Sequence, residues 1–447
     1  MEWFGRAKIE FTHAPSPRTI REKDGHETDL LKICESNTPP CQLNPLLFNG
    51  HVQTMWTAAK PHGPLVYYRR KVFQAEHQAY EGTFAVDFVV QPHDGRDEGL
   101  PPRTVYYSDE DFASIGSDDG RPMLVVLHGL SGGSHEVYLR HTIAPLPERG
   151  WEICVVNSRG CAGSKITSGI LYNARATWDV RQASGLSSVV KWLRTTFPNR
   201  PLFGIGFSLG ANILTNYCGE EGSDCLLKAA IACSNPFNLD IASKTMSNTL
   251  IGREVYLRVM GTSMKALIDR HRKELKQYTS LDLAAIANTT YLNEFDREIQ
   301  LVYLYTNGII HVDVRSRLVR CPTWGYPTES AYYRDASSSD AVLSIKIPFL
   351  AISATDDPIA VKAAIPFEEF RQNPNTILLT TSLGGHLCWF ETGGSRWHPR
   401  PVCNFLNHMA FKVDLDNLAP MDYPPKVKSF SGSDYDPMRR KMNIVRS

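Results

Sequence analysis

Short, almost entirely apolar runs recur along the chain, and each is bounded by residues that favour turns. Continuous aliphatic and β-branched runs are typical of strands in a sheet that is covered on both faces. Between two of them, Trp178–Phe197 carries apolar residues at helical spacing until Pro198 ends the pattern. Strands that alternate with helices predict a doubly wound, mostly parallel α/β sheet. The predicted strands are Met123–Gly129, Ile153–Gly160, Leu202–Ser208, Lys228–Ser234, Ile347–Ser353 and Thr376–Thr380.

The alternation of strands and helices is interrupted between residues 238 and 340. This stretch reads as mostly helical, with a helix predicted over Glu254–Gln277, and strands resume after it. We predict a largely helical cap insertion and not a second domain, because the returning strands need the first half of the sheet as a partner. The chain is then expected to divide into an irregular N-terminal extension (1–85), an α/β domain (86–412) and a polar C-terminal tail (413–447).

Composition excludes several classes of protein. The 48 basic and 47 acidic residues leave a net charge of +1, and this balance argues against nucleic acid as a partner, since binding it needs a clustered basic surface. The ten cysteines include no C-x-x-C pair, so we expect free thiols in a reducing compartment and no structural metal. No apolar run approaches the roughly 18 residues of a membrane-spanning helix, and no secretory signal opens the chain. The expected location is therefore intracellular and cytoplasmic, with peripheral contact at a membrane or lipid droplet left open.

The segment Leu202–Tyr217 carries the clearest chemical signal. An apolar strand leads into Gly206-Phe207-Ser208-Leu209-Gly210, and an amphipathic helix follows. A serine on such a sharp strand-to-helix turn projects its hydroxyl out of the sheet, and flanking glycines are needed because side chains there would collide with neighbouring elements. We therefore predict Ser208 as a nucleophile.

Two phosphate-binding motifs offer alternative interpretations, and neither fits. A dinucleotide-binding loop needs G-x-G-x-x-G and an acidic residue after the next strand, whereas three residues separate Gly206 from Gly210 and no acid ends Lys228–Ser234. The segment Gly160–Thr167 has the wrong spacing for a P-loop. No cofactor is expected.

A nucleophilic serine requires a base and an acid that orients it, in the chain order Ser, Asp or Glu, His on this scaffold. Asp356 and Asp357 directly follow one predicted strand, at the end where side chains reach an active site. His386 follows the next strand, in a loop where Gly384 and Gly385 permit a sharp turn. The small apolar residues after Asp357 favour it over Asp356 as the acid.

An oxyanion hole is also required, built from backbone N–H groups. One is expected from Leu209, directly after the nucleophile, and the other from the glycine-rich loop after an earlier strand, where we assign Leu130. His128, in the same loop, is expected to order the loop and not to transfer protons. The segment that begins His135-Glu136 lacks the second histidine of H-E-x-x-H, so a metal-dependent hydrolase is not supported.

Together these motifs resemble the α/β-hydrolase superfamily, and within it the ABHD1/ABHD3-like branch with bacterial YheT and the fungal medium-chain fatty acid ethyl ester synthase/esterases. The resemblance spans roughly residues 40–412. It implies a serine carboxylesterase or acyltransferase that acts on lipid acyl esters, with Ser208, Asp357 and His386 as a triad. The acyltransferase signature H-x-x-x-x-D of some relatives is absent. The segments that carry the resemblance are Asn44–Thr54, Val125–Arg140, Val155–Ser164, Gly204–Leu214, Tyr332–Ser338, Ala354–Ile359 and Gly384–Glu391.

The sequence leaves three candidate functions. The first is synthesis and hydrolysis of medium-chain fatty acid esters through a serine acyl-enzyme, with an acyl ester or acyl-CoA as donor and water or an alcohol as acceptor. The second is a monoacylglycerol lipase, which would differ only in the substrate that the cap admits. The third is a binding protein of the same fold without catalysis, and it is disfavoured because all three triad residues are present. The oligomeric state stays open.

Overall fold

The structure, a computed structural model, describes residues 4–59, 62–75, 78–180, 189–300, 324–421 and 434–443. Their β-strands are β1 (Ile9–His13), β2 (Thr19–Arg21), β3 (Glu27–Asp29), β4 (Tyr67–Ala75), β5 (Gly82–Val90), β6 (Thr104–Tyr106), β7 (Met123–Leu127), β8 (Glu152–Asn157), β9 (Leu202–Phe207), β10 (Leu227–Cys233), β11 (Phe349–Ala354), β12 (Thr376–Thr381), β13 (Asp434–Asp436) and β14 (Lys441–Asn443).

A ten-stranded sheet forms the centre of the molecule, in the order β1-β12-β11-β10-β9-β7-β8-β5-β4-β6. Its six middle strands, β12 to β8, are the six predicted from sequence, and all neighbours among them pair in parallel. Buried residues of β7, β9, β10, β11 and β12 alternate between two apolar layers, one on each face of the sheet. The predicted doubly wound, mostly parallel α/β sheet is confirmed, since cover on both faces is what continuous apolar strands require.

The edges of the sheet differ from the sequence expectation. Residues 1–85, expected to be an irregular extension, supply β1, β4 and the first part of β5. These strands pair antiparallel: β1 with β12, β5 with β8, and β4 with β5. Strands β1 and β4 are half-exposed and carry charged residues between apolar ones, so they lack the continuous apolar run that marked the middle strands. The division into domains otherwise stays a prediction.

Helices cover both faces and build the predicted cap between β10 and β11. The helix expected at Glu254–Gln277 is present in three parts: a π-helical segment, Gly252–Leu257, followed by two α-helices that meet at His271. The predicted helix Trp178–Phe197 is observed in part, as a helix over Val189–Thr196. Residues 181–188 of that prediction, and residues 301–323 of the predicted cap, lie outside the described ranges. The α-helices are α1 (Leu30–Ser36), α2 (Gly50–Ala59), α3 (Asp109–Ala113), α4 (Val137–Ile143), α5 (Val189–Thr196), α6 (Leu209–Glu221), α7 (Leu239–Ser247), α8 (Arg258–Arg270), α9 (Arg272–Tyr278), α10 (Leu283–Asn288), α11 (Leu292–Gln300), α12 (Glu329–Ala336), α13 (Phe367–Gln372) and α14 (Pro399–Phe411).

The described end of the polar tail is attached to the body of the protein. β13 and β14 form a hairpin, and beside it Arg440 donates from Nη2 to the Ser337 carbonyl at 2.7 Å and pairs with Asp340 at 2.7 Å. Within the described ranges, no helix has both the length and the apolar character needed to cross a bilayer.

Candidate active site

Ser208 occupies the turn between β9 and α6 in a strained conformation. Its backbone has φ 52° and ψ −118°, a region that costs a residue other than glycine about 1–3 kcal/mol. The turn is tight: a Cβ on Gly206 would lie 2.4 Å from the Gly210 carbonyl oxygen, and one on Gly210 would lie 2.4 Å from that of His128. The Ser208 N–H donates to the Cys233 carbonyl at 2.9 Å. The tight turn and this hydrogen bond therefore fix the serine at the carboxyl end of the strand.

The structure brings Ser208, His386 and Asp357 into one hydrogen-bonded chain. The Ser208 hydroxyl lies 2.8 Å from His386 Nε2, and His386 Nδ1 lies 2.8 Å from Asp357 Oδ2. A carboxylate only accepts hydrogen bonds, so Nδ1 carries the imidazole proton and Nε2 is free to accept from the serine. The Asp357 side chain is 1% exposed and that of His386 is 11% exposed. This arrangement can serve as a nucleophile, a base and an orienting acid.

Asp356 and Asp357 have separate roles in this geometry. The second oxygen of Asp357 accepts from the N–H groups of Ile359 and Ala360, both at 2.8 Å. Asp356 instead accepts from the Gly385 N–H at 3.0 Å, and its Oδ2 has no partner within the described residues. Desolvation raises the pKa of Asp356 to about 6. Asp357 therefore contacts the imidazole, while Asp356 supports the loop that carries it.

Helix α2 also holds the His386 loop, and sequence reasoning had not assigned its residues. Thr54 Oγ1 accepts from the His386 N–H at 3.0 Å and donates to the Gly50 carbonyl at 2.6 Å. The buried Gln53 accepts from the Phe390 N–H at 2.9 Å. The available signal was the segment Asn44–Thr54, which carried part of the family resemblance without a stated role.

Two tyrosines fix the loop that contains Leu130. The Gly129 N–H donates to the Tyr138 hydroxyl at 2.8 Å, and the Ser131 N–H donates to the Tyr172 hydroxyl at 3.0 Å. The Leu130 N–H lies between these two anchored groups, and in the described structure it has no hydrogen-bond acceptor. Leu209 opens α6 directly after Ser208, and it borders the same cavity as Leu130. Both residues thus line the cavity that contains Ser208, and their role as oxyanion-hole donors stays a prediction.

His128 is a structural histidine in this loop. Its Nδ1 lies 2.6 Å from the Gly129 carbonyl oxygen, and its Nε2 accepts from the Ser158 N–H at 3.0 Å. Burial lowers the pKa of His128 to about 4. The ring is therefore neutral and bonded on both sides, in agreement with the expectation that it orders the loop.

A cavity opens from Ser208 beneath the cap. It is a narrow cavity of about 90 Å³. Its walls come from the sheet side and from helices α7, α8, α11 and α12. Apolar side chains dominate the walls, so the cavity suits a ligand with a hydrocarbon portion. No cluster of metal-binding side chains is found among the described residues.

Comparison with known proteins identifies the family and several relatives of this chain. The family model described as "alpha/beta hydrolase fold" matches residues 122–391. Three curated proteins are similar over much of the chain. A "Monoacylglycerol lipase" of Saccharomyces cerevisiae is 32% identical over 426 residues, 90% of this chain and 89% of the relative. The "Medium-chain fatty acid ethyl ester synthase/esterase 2" of the same yeast is 27% identical over 81% of this chain and 84% of its own. Human "Phospholipase ABHD3" is 30% identical over 61% of this chain and 59% of its own. Among solved structures, the Pyrococcus furiosus esterase Pf2001 covers 77% of this chain and 91% of its own, at a TM-score of 0.44 and 15% identity.

Proposed function

The chain belongs to the α/β-hydrolase fold family, and we propose that it is a serine-dependent hydrolase or acyltransferase of lipid acyl esters. The observation that carries the proposal is the hydrogen-bonded chain Ser208–His386–Asp357, at 2.8 Å for each contact, beside an apolar cavity. Relatives named as a monoacylglycerol lipase, an ester synthase/esterase and a phospholipase support an ester of a fatty acid as the substrate.

The proposed chemistry has two steps. His386 Nε2 takes the Ser208 proton as Oγ forms a bond to the ester carbonyl carbon, and the N–H groups of Leu130 and Leu209 stabilise the negative charge on the carbonyl oxygen. The tetrahedral intermediate then loses its alkoxide, which leaves as the alcohol with the proton from His386, and Ser208 remains acylated. Asp357 keeps His386 in the required tautomer and stabilises its charged form.

The second step decides between hydrolysis and ester synthesis. Water attacks the acyl-enzyme to release a fatty acid, or an alcohol attacks it to form a new ester, with His386 as base in both cases. Burial under the cap favours an alcohol to the extent that it limits the access of water. Medium-chain ester synthesis and hydrolysis is one candidate activity, and monoacylglycerol hydrolysis is the other, favoured by the similarity over nine-tenths of the chain to a lipase of that name.

Apolar side chains around the cap support peripheral contact with a lipid surface. Leu250 is 74% exposed and Val259 is 58% exposed on the cap, and Leu46 and Phe48, just before α2, are 81% and 61% exposed. The two regions meet where His51 of α2 lies 2.8 Å from the Tyr256 hydroxyl of the cap. Exposed apolar groups of this kind suit contact with a lipid surface.

The test is replacement of Ser208 by Ala, with Ser243→Ala as the matched control because both serines line the cavity. Ser208→Ala should reduce ester turnover by about four orders of magnitude or more and should abolish labelling by a fluorophosphonate. Ser243→Ala should keep both properties. Ester turnover by folded Ser208→Ala protein would overturn the proposal, and absent labelling of the wild type would favour the binding protein without catalysis.

A further inference from the structure

The cavity beside Ser208 is apolar along most of its wall and polar in one corner. The apolar wall contains three methionines and several leucines, most of them from the cap, which is the environment of a hydrocarbon chain. The polar corner consists of four buried side chains from α11, α12 and the segment that follows β8. Its members are Asn173, Asp296, Gln300 and Tyr333.

Asp296 is a buried acid that nothing in the proposed reaction uses. It is 8% exposed, and its Oδ2 accepts from the Tyr333 hydroxyl at 2.8 Å. No cation pairs with it in the described structure, and desolvation raises its pKa to about 7. Its Oδ1 has no partner in the described protein, and the residue lines the cavity. A buried carboxyl with one free oxygen normally has a partner, because leaving it bare is costly.

Gln300 lies one helical turn after Asp296 on α11 and offers the complementary group. Its Oε1 accepts from Asn173 Nδ2 at 3.3 Å, and its backbone carbonyl accepts from the Tyr326 N–H. The Nε2 donor has no partner among the described residues, although Gln300 is only 3% exposed. The polar corner thus presents an acceptor on Asp296 and a donor on Gln300 to the same cavity.

The polarity of this corner restricts the ligand. A hydroxyl group both donates and accepts, so it satisfies Asp296 Oδ1 and Gln300 Nε2 together. A phosphate does not fit, since the described residues that line the cavity include no lysine or arginine, and a buried anion beside Asp296 would lack a counter-charge. A plain alkyl ester fills the apolar wall and leaves both polar groups unsatisfied, which costs affinity.

We infer that the polar corner is a hydroxyl-recognition subsite, and that the preferred substrate is a fatty acyl ester with a free hydroxyl, such as a monoester of a polyol. The inference rests on the proposed ester chemistry at Ser208. The hydroxyl can come from the alcohol portion, as in a monoacylglycerol, or from a hydroxylated acyl chain, and the chemistry of recognition is the same.

The experiment compares kcat/KM for three esters of one acyl chain length: a monoacylglycerol, the ethyl ester, and the ethyl ester of the hydroxylated acid. The main variant is Asp296→Leu/Tyr333→Phe, which replaces both hydrogen-bonding partners by apolar groups of similar shape and leaves neither bare. Gln300→Met is a second, independent variant that removes the donor. Asp269→Leu is the matched control, because this aspartate is exposed on cap helix α8, with 57% of its side-chain surface accessible.

Wild-type protein should prefer a hydroxylated ester, and each variant should reduce that preference by roughly 10- to 100-fold, with ethyl ester turnover retained. A larger loss with monoacylglycerol puts the hydroxyl on the alcohol side, and a larger loss with the hydroxy-acid ester puts it on the acyl side. Asp269→Leu should keep the wild-type preference. The subsite would be overturned by equal losses of kcat/KM for all three esters. It would also be overturned by an unchanged preference in folded variants that a fluorophosphonate still labels at Ser208. Absence of all ester turnover and of Ser208 labelling in the wild type would instead overturn the proposed function.

Discussion

The hydrogen bond from the His386 backbone to Thr54 allows a test of how strongly α2 supports the candidate active site. Thr54→Val preserves the shape of the side chain and removes only the hydroxyl. The substitution leaves the His386 N–H without its acceptor at 3.0 Å and the Gly50 carbonyl without its donor at 2.6 Å. The cost of an unsatisfied buried group is about 1–3 kcal/mol. The lower end applies here, because the His386 N–H is only part-buried and water can replace part of the bond.

The loop also keeps a second attachment, since Asp356 Oδ1 still accepts from the Gly385 N–H at 3.0 Å. A loss of about 1–1.4 kcal/mol in the positioning of the base corresponds to a decrease in kcat of about five- to tenfold. KM for a simple ester should stay near the wild-type value, because Thr54 does not line the cavity. Thr54→Ser retains the hydroxyl and should restore kcat.

The assay is steady-state hydrolysis of a fatty acid ethyl ester, with thermal unfolding measured in parallel. Thr57→Val is the matched control: this threonine is on the same helix, but its hydroxyl lies 3.1 Å from Cys388 Sγ and does not contact His386. Wild-type kcat in folded Thr54→Val protein would refute the positioning role. So would Thr54→Ser if it were impaired as severely as Thr54→Val, because shape and not the hydroxyl would then be responsible.

Three further predictions concern other parts of the molecule. Burial raises the pKa of Asp356 from 3.8 to about 6. Between these two pH values the folded protein binds more protons than the unfolded chain, so the wild type loses stability as the pH rises. The Tm of Asp356→Asn relative to that of the wild type should therefore increase from pH 4 to pH 6, and a constant difference in Tm would contradict this. Gly210→Ala puts a Cβ 2.4 Å from the His128 carbonyl oxygen, and it should lower the free energy of unfolding in denaturant by about 3 kcal/mol or more. Gly120→Ala is the control and should leave stability unchanged, because nothing lies within 4 Å of the added Cβ. Equal effects of the two substitutions would refute the steric argument. Leu250→Glu and Val259→Glu should reduce co-sedimentation with phosphatidylcholine vesicles and spare turnover of a water-soluble ester; unchanged sedimentation would exclude these residues from a lipid contact.

The middle of the sheet was predictable from sequence because the apolar composition of these strands directly reflects their burial. Strands β9 and β11 are buried on both faces, so nearly every residue in them is apolar and the run stands out from its polar surroundings. The serine turn was predictable for a similar reason, since its glycines are required by close contacts, among them that between Gly206 and Gly210. Chain order then limited the acid and the base to two short loops.

Features built from distant segments were not predictable in the same way. Strand β4, second from the end of the sheet, reads as polar because one of its faces is partly open to solvent. Thr54 acquires its role only when the fold brings it to His386, far along the chain. Asp296 stands in an amphipathic helix among charged neighbours, where a surface position is the ordinary expectation, and its burial depends on Tyr333 of another helix. Such residues carry no local pattern that separates them from solvated ones.

Helix α2 connects the cap to the loop of the candidate base, and this changes the interpretation of the N-terminal region. Near its start, His51 contacts Tyr256 of the cap at 2.8 Å, with the two rings stacked 5.6 Å apart. One turn later, Thr54 holds the His386 backbone. Because one helix contacts both elements, it fixes the position of the His386 loop relative to the cap. The N-terminal region is therefore part of the candidate active site, and removing α2 should impair catalysis even where the sheet and the three triad residues remain intact.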